Sequence, residues 1–125
     1  MRVLQLINTF GPVGGLEMYV MRWSERLCEM GHTTLVIANS FASADVRLYD
    51  VKYVPGFMSL QGRELLDAEA QVLAITAEFQ PDVVVSHTTT NFGLLCALNT
   101  LYPTVEWVHM FVCGGGKLFR RGDRV

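Results

Sequence analysis

The sequence predicts an α/β fold of the doubly wound, Rossmann-like kind, with one parallel sheet in the order 3-2-1-4-5. Three observations carry this. Short segments rich in Val, Ile and Leu recur along the chain, too continuous in their apolarity to be half-exposed strands. Between them lie longer stretches whose apolar residues repeat at helical spacing. Glycine, proline and asparagine punctuate the junctions. Strands alternating with helices pair in parallel through right-handed crossovers.

Val3-Leu4-Gln5-Leu6-Ile7 reads as the first buried strand, closed by the turn Gly11-Pro12-Val13-Gly14-Gly15. A helix follows from about Leu16 to Met30, with Leu16, Val20, Trp23 and Leu27 as its core stripe. Arg22, Glu25, Arg26 and Glu29 make its wet face, and Gly31 is placed to end it. Thr33 to Ala38, rich in β-branched residues, is the second strand. A polar segment, Asn39 to Asp45, precedes a short third strand, Val51 to Val54, stopped by Pro55-Gly56. Arg63 to Gln80 is the second long helix, turning Leu65, Ala68, Val72, Ile75 and Phe79 inward, and Pro81-Asp82 stops it. Val83 to His87 is the fourth strand. Thr88 to Thr90 form a loop, and Asn91 is placed to cap a short helix, Phe92 to Leu101. Thr104 to His109 is the fifth strand, and the tail from Cys113 onward is glycine-rich and basic.

Composition narrows the functional classes. The 125 residues make one domain, half apolar and close to charge balance at a formal −2. No concentrated basic surface points to nucleic acid. Cys28, Cys96 and Cys113 are scattered, with no CxxC pair or Cys/His cluster to suggest zinc. An odd cysteine count with no secretory signal fits a reducing compartment. No apolar run reaches the roughly 18 residues of a membrane span. The chain therefore reads as cytoplasmic, with peripheral attachment to the cytoplasmic membrane left open.

In such sheets ligands bind beyond the strand C-termini, where the strand order reverses. Three segments arrive there: the glycine loop after the first strand, the His87–Asn91 loop after the fourth, and His109 after the fifth. The glycine loop feeds a helix N-terminus, whose free N–H groups and dipole suit a phosphate. Its spacing is a poor match to the dinucleotide fingerprint and excludes a P-loop. By spacing alone it is a tight turn in which Glu17 offsets the helix dipole. His87 reads equally as a satisfied strand-end histidine or a cleft residue. His32 reads as a helix-end or surface histidine, Trp23 and Trp107 as core, and Lys117, Arg120, Arg121 and Arg124 as a solvated tail. A receiver-like signalling domain would need acidic clusters where Asn8 and Val54 stand.

Gly14-Gly15-Leu16-Glu17 after the opening strand resembles the GGxE loop of retaining GT-B glycosyltransferases of the family-4 type, in the glycosyl transferases group 1 superfamily. The resemblance continues in order through Gly31-His32-Thr33-Thr34-Leu35-Val36, Pro81-Asp82-Val83-Val84-Val85-Ser86-His87 and Pro103-Thr104-Val105-Glu106-Trp107-Val108-His109. It implies a hexosyl transfer from a nucleoside-diphosphate sugar to an acceptor hydroxyl, with retention and with no metal or other cofactor. It places Gly14 and Gly15 beneath the donor diphosphate, His109 facing the transferred sugar, and His87, Thr88 and Asn91 on the acceptor side. The family's acidic residue after this histidine is replaced by Met110 and Phe111.

GT-B enzymes hold the donor nucleotide mainly on a second, C-terminal domain. The expectation is an acceptor-side domain over residues 1–125, incomplete at its C-terminus and inactive by itself. An unpaired fifth strand would leave an apolar edge, so a homodimer through Thr104–His109 is expected too. The alternative from another class is a non-catalytic module that binds a nucleotide or a protein.

Overall fold

The computed structural model describes residues 1–41, 48–59, 61–87 and 91–107. Along the chain run β1 (Arg2–Phe10), α1 (Gly15–Glu29), β2 (Thr33–Phe41), β3 (Asp50–Tyr53), α2 (Arg63–Phe79), β4 (Val83–His87), α3 (Phe92–Asn99) and β5 (Thr104–Trp107). The five strands form one sheet in the order β3-β2-β1-β4-β5, every pair parallel. Fold class and strand order are those expected. The last two residues of the expected fifth strand lie outside the described residues.

Both faces of the central strands β1, β2 and β4 are buried, which is why those strands are apolar over most of their length. On one face Leu4, Leu6, Leu35, Ile37 and Val84 pack with Ala68 and Val72 of α2 and Leu94, Leu95 and Leu98 of α3. On the other, Ile7, Val36 and Ala38 pack with Val20 of α1 and with Tyr49. The α2 stripe is as expected, with Thr76 buried beside it and its hydroxyl donating to the Val72 carbonyl at 2.7 Å. The α1 stripe is less simple. Val20 is fully buried, but Leu16, Trp23 and Leu27 are only half-buried, and Ser24 is buried completely. A serine fits there because its hydroxyl meets a polar partner on β1, described below.

β1 and β2 run three residues further than their apolar segments. Asn8, Thr9, Asn39 and Ser40 look like loop residues, yet they satisfy one another across the ladder. Asn39 Nδ2 donates to Asn8 Oδ1 at 3.1 Å, and the Thr9 and Ser40 hydroxyls lie 2.8 Å apart. The polar side chains therefore prolong the pairing.

The helices end in two different ways. After α1, Gly31 has φ +89° and its N–H bonds the Cys28 carbonyl, while the His32 N–H bonds the Leu27 carbonyl. These two bonds make a Schellman motif. After α2, Gln80 takes the left-handed conformation (φ 52°, ψ 67°) and its N–H bonds the Thr76 carbonyl. Pro81 follows, has no N–H, and so cannot make the second bond of that motif. A left-handed L-residue costs about 1–2 kcal/mol, and glycine's extra freedom in the unfolded chain returns roughly 0.5–1 kcal/mol of that. Gln80→Gly is therefore expected to stabilise the domain by up to about 1 kcal/mol. Urea unfolding should show a higher midpoint with an unchanged slope.

Tyr49 packs edge-on against Phe10, with ring centroids 6.2 Å apart. Its buried hydroxyl makes no hydrogen bond. Burial pushes the phenol from 10 up to about 12, against the pull of the nearby Ser24 hydroxyl and with Glu25 and Cys28 adding to the rise. The unfolded chain ionises this phenol near pH 10, while the folded chain holds the proton to about 12. Its contribution is thus complete below pH 10 and is lost as the pH rises through 12. Tyr49→Phe should flatten that alkaline limb in a pH series of urea melts. At neutral pH it should be neutral or stabilising by roughly 0–1 kcal/mol, since it removes an unbonded buried hydroxyl.

Candidate functional site

The strand order reverses between β1 and β4, and the crevice of such a sheet opens beyond the C-terminal ends of those strands. From β1 the chain reaches this point as a tight turn. Gly11, buried with φ +143°, accepts the Val13 N–H at 2.9 Å, a backbone that favours glycine. Gly14 is then the N-cap of α1, and Met18 N–H bonds its carbonyl at 3.0 Å. Gly14 has no side chain, so the first turn of α1 lacks a side-chain cap from that position. Gly15 is exposed and Gly14 half-buried. Glu17, in the same first turn, folds its carboxylate back over Gly14, and its Oε2 lies 2.7 Å from where a Cβ on Gly14 would stand. The helix end is therefore open to a ligand, with the Glu17 carboxylate lying beside it.

From β4 comes His87, in register between Ile7 of β1 and Trp107 of β5 and fully buried. Its Nε2 lies 2.9 Å from Gln5 Oε1. The same glutamine reaches the Ser24 hydroxyl at 2.8 Å and the Thr34 hydroxyl at 2.9 Å through Nε2. The imidazole stacks on Trp107 with centroids 5.8 Å apart and meets Trp23 edge-on at 5.8 Å. Trp23 and Tyr19 in turn sit edge-on to Trp107 at 5.3 and 5.5 Å. Trp23 and Trp107 thus belong to a half-buried aromatic group around the histidine.

Asn91 caps α3 as expected, its Oδ1 accepting the Leu94 N–H at 3.0 Å. Its Nδ2 donates to the Phe57 carbonyl at 2.7 Å and to Glu69 Oε2 at 3.2 Å. All of its polar atoms are engaged in holding the loop after β3 and the start of α3. His32 ends α1 through its backbone, as read. Of the expected site residues, the structure brings Gly14, Gly15, His87 and Asn91 to the C-terminal side of the sheet. Thr88 and His109 lie outside the described residues, as do Cys113, Lys117, Arg120, Arg121 and Arg124.

Sequence reading missed the Gln5–Ser24–Thr34 group beneath His87. One signal was present: Gln5 is the only polar residue in its apolar run. Shallow clefts also exist at the opposite, N-terminal edge of the sheet. One of about 310 Å³ is lined by Arg2, Asp50, Lys52 and Glu78 among others. There Arg2 already lies over the Phe79 ring at 4.2 Å and donates to the Phe79 carbonyl. Mixed charges, and an Arg2 already engaged with Phe79, make it a weaker candidate than the crevice.

The sequence model described as Glycosyltransferase Family 4 matches residues 13–122, most of the chain. The chain belongs to glycosyltransferase family 4. No curated protein matches it. Among solved structures, this family-4 chain is similar to the crystal structure of WaaG, a glycosyltransferase involved in lipopolysaccharide biosynthesis. The TM-score is 0.54 at 21% identity, over 68% of this chain and 23% of the WaaG chain. At that identity the likeness shows the fold, a Rossmann-like portion of a GT-B structure. The family-4 chain thus spans about a quarter of the length of that relative.

Proposed function

We propose that this domain is the acceptor-side, N-terminal part of a glycosyltransferase that moves a hexose from a nucleoside-diphosphate sugar to an acceptor hydroxyl, with retention. The observation that carries the reading is the open N-terminus of α1, at Gly14-Gly15, delivered by β1 to the reversal of strand order in a family-4 chain. The backbone N–H groups and the helix dipole there favour the charge of a diphosphate. They supply electrostatic stabilisation without a metal or other cofactor, so none is assigned. His109 is the residue assigned to the transferred sugar, as hydrogen-bond donor or proton carrier. Thr88 is assigned to the acceptor side, with His87 and Asn91 shaping that wall from below.

The nucleotide is assigned mainly to a second domain, in keeping with the 23% share of the WaaG chain that is covered. The 125-residue chain alone is therefore expected not to transfer sugar, while a protein that joins it to a second, donor-binding domain is expected to. A panel of nucleoside-diphosphate hexoses assayed on both proteins checks this. Robust turnover by the short chain would contradict the division of labour, and no turnover by the longer protein with any donor would contradict the activity. Among the described residues no helix is long and apolar enough to cross a membrane. The cytoplasm is proposed as its location, as the supply of nucleotide sugars requires. Among the described residues β5 is an edge strand and Val105 on it is half exposed, so pairing with a second copy along this edge is also proposed. A sedimentation profile that stays monomeric at high concentration would remove that dimer.

A further inference from the structure

We propose that His87 is a positioning residue for the transfer, held in a single tautomer by Gln5. The inference rests on the functional reading above, but its starting point is proton counting. The Thr34 hydroxyl donates to the Val3 carbonyl at 2.9 Å, and the Ser24 hydroxyl donates to the Val20 carbonyl at 2.7 Å. Each hydroxyl has one proton, so toward Gln5 each can only accept. Both amide hydrogens of Gln5 are thereby committed, at 2.8 and 2.9 Å, and Oε1 remains as an acceptor. Its partner at 2.9 Å, His87 Nε2, must then be the donor. The ring carries its proton on Nε2, and in the neutral form Nδ1 holds the lone pair.

The consequence is orientational. The proton chain joins β2, β1, α1 and β4, and the oriented imidazole is the face on which Trp107 of β5 stacks and Trp23 of α1 rests its edge. These are the elements whose ends surround the crevice. Turning the Gln5 amide over would point its N–H groups at the His87 donor and its oxygen at hydroxyls that have no proton left to give. Each buried mismatch of that kind is costly, so the arrangement has one stable setting. An apolar pair of the same shape would pack as well without these constraints. What the polar pair adds is a fixed relative placement of α1, the β4 end and the β5 end.

The test uses the 125-residue chain for the spectra and a protein joining it to a donor-binding domain for the kinetics. Nitrogen-15 spectra of the histidine-labelled protein should show His87 as the Nε2–H tautomer, and an Nδ1–H ring would overturn the assignment. Gln5→Glu is nearly isosteric but cannot donate to the two hydroxyls. It should lower kcat by about tenfold to a hundredfold through misplacement of the crevice walls, with the donor KM little changed. The double variant Gln5→Leu with His87→Phe keeps shape and stacking, and should keep a parental melting temperature while losing kcat to the same extent. Parental kcat in that folded double variant would show that His87 only fills space. Absence of turnover in the parent protein would overturn the functional reading, and the tautomer result is read independently of it.

Discussion

Phe57→Ala is expected to destabilise the domain by about 3–5 kcal/mol, lowering the melting temperature by on the order of 10–20 °C. Phe57 lies outside any helix or strand, in the loop after β3, yet it is fully buried in the core under α2 and α3. The size of the effect follows from how the loop is held. Asn39 Oδ1 accepts the Gly56 N–H at 2.8 Å, and Asn91 Nδ2 donates to the Phe57 carbonyl at 2.7 Å. Gly56 itself has φ +102°, and a Cβ there would stand 2.5 Å from Glu64 Cγ and 3.0 Å from the Glu64 carbonyl oxygen. The backbone on both sides of the ring is fixed, so it cannot sink to fill the space the ring leaves. A persistent cavity adds its cost to the lost transfer energy. Leu66→Ala, at a position 66% exposed on α2, is the control and should change stability by less than about 0.5 kcal/mol. A small loss at Phe57 would mean that this loop can collapse onto the core.

Phe57 also shows where sequence reading stops. Pro55-Gly56 before it reads correctly as a turn, but nothing local says that the next side chain plugs the core. Sheet order and both long helices were legible because they rest on periodicity, which each segment carries within itself. Ser24 was not, because its burial depends on Gln5, 19 residues earlier. The ends of β1 and β2 were not, because Asn8, Thr9, Asn39 and Ser40 are acceptable in a strand only when they face one another. The site divides in the same way. A glycine turn ahead of a helix marks itself, so Gly14 and Gly15 could be placed at the crevice from sequence. The state of His87 could not be read, since its partner Gln5 is 82 residues away.

Gly14→Ala is expected to leave the fold nearly untouched and, in a protein that joins this domain to a donor-binding one, to lower kcat/KM for the donor by about a hundredfold. Gly14 has φ −168° and ψ 176°, an extended backbone that any residue adopts. The nearest atoms a methyl there would meet belong to the Glu17 carboxylate, at 2.7 Å to Oε2 and 3.5 Å to Cδ. That is the far end of a flexible side chain, which can rotate away. Alanine is a poorer N-cap than glycine, so the stability cost should stay within about 1 kcal/mol. Among the described residues nothing therefore demands glycine at this position. If the diphosphate lies against the start of α1, the added methyl occupies the space through which it approaches the backbone N–H groups, and the loss falls on donor use alone. Displacement of Glu17 could produce a similar loss, and a second substitution separates the two causes. In Glu17→Ala the carboxylate is gone, so adding Gly14→Ala should still cost about a hundredfold if the methyl itself blocks the donor. If the double variant instead matches Glu17→Ala alone, the moved carboxylate was responsible. Unchanged donor kinetics in Gly14→Ala would detach the loop from the donor altogether.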